Sequence, residues 1–106
     1  MGLNQNKLSK ELKELHAKLY EIEMNNALES LYAHFSEWKN KEIGPFDLQE
    51  EIHRHYRGRA KELYSIYQIA SFAELNAARC IKEGIISIDE LSEPLRKLIE
   101  PKLNVI

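Results

Sequence analysis

The chain holds little that would cross-link, break or anchor a helix. One cysteine among 106 residues excludes an internal disulfide and suits a reducing compartment. Four glycines and three prolines are too few for disordered linkers or a many-turned β fold. No run approaches the ~18 apolar residues of a membrane span. The amino-terminal stretch alternates Leu with Lys, Glu and Asn and lacks the apolar stretch of a secretory signal. Excess positive charge is also missing: the net charge of −2 removes the field that draws nucleic acids and acidic membranes. These absences predict a single cytoplasmic domain over 1–106 that neither enters a membrane nor binds nucleic acid. Its 43% hydrophobic and 30% charged residues suffice for a chain of this length to bury about two-thirds of its unfolded surface.

Two leucine stripes dominate what is present. Leu8, Leu12, Leu15, Leu19 and Ile22 repeat with spacing 4-3-4-3, and Met24, Leu28, Leu31, Phe35 and Trp38 repeat in the same way. At about 100° per helical residue each set forms a narrow stripe, and the second lies roughly 160° around the cylinder from the first. One neighbour cannot cover both. Either the chain turns back at Asn25-Asn26, or one continuous helix over about 4–40 gives each half its own partner. Continuity is favoured, because neither Gly nor Pro forces an end there. The first stripe then reads as a projecting dimerisation segment over about 1–24, with the compact part at about 35–98. Phe35 and Trp38 are expected in the core.

Punctuation marks the remaining helices. Ile43-Gly44-Pro45 ends the first helix, with Gly44 as its cap, and starts a second that runs to about Ala70. That helix buries Leu48, Ile52, Tyr56, Leu63, Ile66 and Ala70, and Gly58 interrupts it at a close crossing or a kink. Ser71-Phe-Ala-Glu74 and Ser87-Ile-Asp-Glu90 have capping-box form. A third helix over about 72–83 would end at Gly84, a short fourth would follow Ser87, and a last one would run from Ser92-Glu93-Pro94 to near Pro101. No segment alternates with period two. The expectation is an all-α fold, a small bundle of four to five helices with a long N-terminal helix.

The polar residues cluster in Ile52-His-Arg-His-Tyr-Arg-Gly-Arg-Ala-Lys61. Arg54, Arg57 and Lys61 share a side with Glu50, either as a solvated face with a Glu50–Arg54 pair or as an oxyanion site. His55 and Arg59 fall on the apolar stripe. A guanidinium there needs a partner, since an unpaired buried charge is very costly. An internal ion pair to Glu42, Glu74 or Glu83 is the expectation. His53, His55, Arg57 and Arg59 are the ligand or anion candidates. Glu50-x-x-His53 matches locally the Glu-x-x-His pair of di-iron bundles, in which spacing i,i+3 puts both ligands on one face. A dimer would have to supply the second copy, and His34-x-x-Glu37 could add ligands, so Glu50 and His53 are the metal candidates.

Other elements point away from chemistry. Cys80 sits in no recognisable motif and reads as a small buried side chain. Tyr56, Tyr64 and Tyr67 read as core packing with hydroxyls at the rim. There is no Gly-rich phosphate loop and no nucleophile motif, so the reading leans against an enzyme, and no cofactor is called for. Residues 77–98 have a helix-turn-helix outline, but Asp89, Glu90 and Glu93 on its second helix would face phosphates. The segment from Phe46 through His53-Arg-His, Gly58 and Arg-Ala-Lys-Glu-Leu-Tyr64, with the later Gly-Ile-Ile-Ser turn, resembles a set of small bacterial helical proteins. That resemblance implies a compact helical unit and no activity. The expected function is a protein-interaction or regulatory module that forms a homodimer through Leu8, Leu12, Leu15, Leu19 and Ile22. The alternative is a ligand- or metal-binding protein built on the His53–Arg59 cluster.

Overall fold

In a computed structural model that describes residues 2–105, with side chains from residue 6, the chain is all-helical and has no strand among the described residues. Helix α1 (Gly2–Lys39) is unbroken through Asn25-Asn26. At about 1.5 Å per residue it spans the molecule, whose extents are 60 × 23 × 23 Å. It ends on Lys41 at φ 62°, with the Glu42 amide donating to the Glu37 carbonyl at 2.8 Å. The left-handed cap is therefore Lys41, and Gly44 instead precedes the next helix. The Gly44 amide donates to Asp47 Oδ2 at 3.0 Å, and Pro45 supplies a first-turn position that has no amide to satisfy.

Helix α2 (Pro45–His55), a π turn (Tyr56–Ala60) and α3 (Lys61–Tyr67) form one helical rod antiparallel to α1. The interruption expected at Gly58 is this π turn. A Cβ at Gly58 would meet nothing within 4 Å, so no close crossing requires the glycine. A 3-10 turn (Ala70–Phe72) leads into α4 (Ala73–Lys82). Ser71 lies within that turn, and the helix begins without a side-chain cap. Gly84, at φ 76°, closes α4 with the Ile85 amide reaching back to the Cys80 carbonyl at 2.8 Å. The Ser87 box forms as expected, but on a 3-10 turn (Ile88–Glu90) rather than a fourth α-helix. Helix α5 (Glu93–Leu103) is capped by Ser92 and carries Pro101 inside its last turn rather than after its end.

The core sits at the amino-terminal half of α1. Leu19, Leu63, Tyr67, Ala77, Ala78, Cys80, Leu91, Leu95 and Ile99 are buried there, and Leu8, Leu12, Leu15 and Ile22 pack against them. The first stripe is thus covered by α3, α4 and α5 of its own chain. Beyond Ala27, α1 has only α2 beside it, with Leu48 buried and His34 between Glu37 (2.8 Å) and Glu51 (3.2 Å). Residues 28–55 therefore form a two-helix prong, the reverse of the expected division into a projecting 1–24 and a compact 35–98. Phe35 and Trp38 lie at its surface rather than in the core, 37% and 39% exposed. Tyr56 and Tyr64 are also exposed, and of the three tyrosines only Tyr67 is core.

Candidate functional site

The titratable groups converge on Glu23, one turn beyond Leu19 on the face of α1 that enters the core. Its side chain is 1% exposed, and a carboxylate so placed must be paired and hydrogen-bonded to persist. Arg79 on α4 grips it in two places, Nη1 donating to Oε1 at 3.0 Å and Nη2 to Oε2 at 2.7 Å. Arg59, in the π turn, donates Nη2 to Oε1 at 3.1 Å. The Tyr67 hydroxyl donates to Oε2, and the Cys80 thiol approaches the same oxygen at 3.7 Å. Each arginine has a second carboxylate at the surface, Glu62 for Arg59 (2.9 Å) and Glu83 for Arg79 (2.7 Å). Four helical elements thus meet on one buried anion.

The electrostatics follow from this packing. Burial alone would raise the Glu23 carboxyl, but hydrogen bonds from Arg79 and Tyr67 and the charges of Arg79 and Arg59 outweigh it and hold the group below the usual carboxylate range. Burial and the hydrogen bond to Glu23 push the Tyr67 phenol well up. The hydrogen bonds to Glu23 raise Arg79 further, and burial raises the Cys80 thiol. Every lone pair of Glu23 faces a donor, the phenol and thiol keep their protons, and no group is poised as a base or nucleophile. The cluster can fix the arrangement of α1, α3 and α4.

A second polar contact lies one turn along. Asn76, buried on α4, donates through Nδ2 to the Ile66 carbonyl at 3.0 Å and faces His16 Nε2 at 2.9 Å. With Asn76 as donor, Nε2 accepts, so His16 carries its proton on Nδ1. Burial lowers the His16 pKa and favours the same neutral ring. Tyr67 joins the two contacts: Tyr20 stacks on its ring at 4.9 Å between centroids, and His16 tilts against it at 4.9 Å.

The residues singled out in sequence scatter. Arg59 makes the expected internal ion pair, and the π turn leaves it on the stripe with Leu63, but its acid is Glu23 rather than Glu42, Glu74 or Glu83. Arg54 pairs with Glu51, not Glu50. Glu50 and His53 are exposed, and His55 is half-buried. Among the described residues no group of three or more His, Cys, Asp or Glu could hold a metal ion. Arg57 does not join Arg59: it lines a groove with Tyr20, Met24 and Tyr64. Leu8, Leu12, Leu15, Leu19 and Ile22 pack into the core formed with α3, α4 and α5, so this stripe is not surplus to the protomer.

Glu23, Arg79, His16 and Asn76 went unnoticed in sequence. A signal for the first was present: His16, Leu19, Glu23 and Ala27 continue the apolar stripe at helical spacing, and an acid in that register must find a cation. Arg79 gave less warning, lying in a small-residue helix, Asn76-Ala-Ala-Arg-Cys80, where a guanidinium between alanines and a cysteine sits on a closely packed face. No helix among the described residues is long and apolar enough to cross a membrane. No family model, curated protein or solved structure matches the chain.

Proposed function

We propose that the chain is a protein-interaction module that pairs with a second copy of itself through the two-helix prong. The observation that carries this is the exposure of large apolar side chains there: Leu28 46%, Tyr32 68%, Phe35 37%, Trp38 39% and Phe46 88%. At about 200 Å² per side chain they leave roughly 500–600 Å² in water. With flanking polar residues this approaches the ~800 Å² per partner of a standard interface. A second copy fits because acids and lysines (Glu29, Glu50; Lys39, Lys41) both flank the patch, so a two-fold partner meets mixed rather than uniform charge. Two antiparallel prongs would build a four-helix layer and cover the second stripe of each copy. The saturated Glu23 cluster favours a binding role over an enzymatic one. The lone buried thiol of Cys80 is the ground for assigning the chain to the cytoplasm.

Sedimentation velocity at micromolar concentration tests the pairing, with Tyr32→Glu and Phe46→Glu combined as the probe because both side chains are mostly in water. The expected result is a dimer for the wild type and a monomer for the variant with unchanged helicity. A monomeric wild type, or a dimer indifferent to the two substitutions, would overturn it.

A further inference from the structure

A groove of about 590 Å³ runs between α1 and the rod where the π turn passes into α3. It is lined by Tyr20, Met24 and Ala60 and by Tyr56 and Tyr64, residues that are 75% and 57% exposed. Two cations line it as well, Arg57 and Lys61. Unlike Arg54, Arg59 and Arg79, these two have no carboxylate within ion-pair distance among the described residues. The chain as a whole is acidic, with net charge −2; Arg57 and Lys61, lining one groove without a neighbouring carboxylate, form a local positive site beside its apolar surface. The volume lies within the range of small-molecule sites, which are mostly apolar with a few convergent polar groups.

We propose that this groove binds an amphipathic organic anion, with an acyl or aromatic body against Tyr56, Tyr64 and Met24 and a carboxylate held by Arg57 and Lys61. The division of labour is physical. The apolar body removes ring and Met24 surface from water, and the anion relieves the repulsion between the two cations through charge-assisted hydrogen bonds. Neither half suffices alone: a small anion gains little at an exposed cation pair, and a neutral chain leaves the cations facing an apolar group.

Isothermal titration with decanoate, kept below its micelle concentration, tests the proposal, with decanol and acetate as the two half-ligands. The expected result is saturable one-to-one binding of decanoate, at least tenfold weaker binding of decanol, and no detectable heat with acetate. Arg57→Gln and Lys61→Gln should each weaken decanoate by about tenfold while leaving the thermal midpoint unchanged, since neither side chain has a partner to lose. Equal affinity for decanol and decanoate would overturn the proposal, as would substitutions without effect. Binding to phosphatidylglycerol vesicles without binding of soluble decanoate would also overturn it, in favour of surface adsorption. Repeating the titration on the Tyr32→Glu, Phe46→Glu chain separates the groove from self-association, because decanoate binding should survive there.

Discussion

The two ends of the molecule share one helix and are finished in opposite ways. Around Leu19 and Glu23, α1 is enclosed by α3, α4 and α5, and even its charged residue is fully paired. Around Leu31 and Phe35 the same helix has a single neighbour, and its aromatic side chains stay partly in water. Apolar periodicity is equally strong at both ends, so periodicity measures the wish for a partner and not its presence. What distinguishes the ends is the number of elements the downstream sequence brings back to each.

The sharpest way to break this contrast is to remove the anion at the compact end. Glu23→Ala leaves two partly solvated guanidinium groups with only their surface partners Glu62 and Glu83 and opens a void in the core, and should cost about 3 kcal/mol, read as a lower urea midpoint. A loss below about 1 kcal/mol would mean that the cluster behaves as an ordinary surface pair. Side-chain truncations then compare the ends directly. Leu19→Ala, at a site with no exposure, should cost about 3 kcal/mol, whereas Phe35→Ala should change monomer stability by less than about 1 kcal/mol. Similar values for the two would erase the distinction.

A smaller effect sharpens the prong alone. Lys41 holds a left-handed backbone at φ 62°, which costs a residue with a Cβ about 1 kcal/mol relative to glycine. Lys41→Gly should therefore stabilise the chain by about that amount in urea unfolding, and no gain would show the turn to be free to relax. A pH effect belongs to the compact end. Because burial lowers the His16 pKa from 6.5, the fold favours the neutral ring. Its contribution is complete above pH 6.5 and declines as the pH falls below that value, levelling off once the folded-state group is protonated. Glu23, lowered from 4.5, adds a second decline below pH 4.5. His16→Gln keeps an acceptor for Asn76 and should lack the first decline relative to wild type across a urea series at stepped pH. Identical slopes would dissociate His16 from stability.

Local signals were legible in the sequence. The unbroken α1, the Gly44-Pro45 boundary, the Gly84 terminus and the Ser87 and Ser92 caps each depend on a few adjacent residues and on backbone chemistry that does not need the rest of the fold. The need of Arg59 for an internal acid was legible for the same reason. The identity of that acid was not, because Glu23 is 36 residues away and meets Arg59 only through the antiparallel pairing of α1 with the rod. The same limit explains the inverted division of the chain. Nothing near Leu8 or Trp38 reveals that α4 and α5 fold back over the first and leave the second bare. Pro101 shows the weaker side of local rules: it lies inside α5, which runs two residues further to Leu103, so proline there did not mark the end of the helix.

Native-state hydrogen exchange, followed residue by residue at several protein concentrations, bears most directly on the division between an enclosed end and an open prong. Amides of α3, α4 and the α1 segment around Leu19–Ala27 should open only with global unfolding at every concentration. Amides of α2 and of α1 beyond Leu31 should exchange through local opening when dilute, and gain protection as the protein is concentrated. Uniform protection along α1 that does not change with concentration would contradict both the open prong and its pairing.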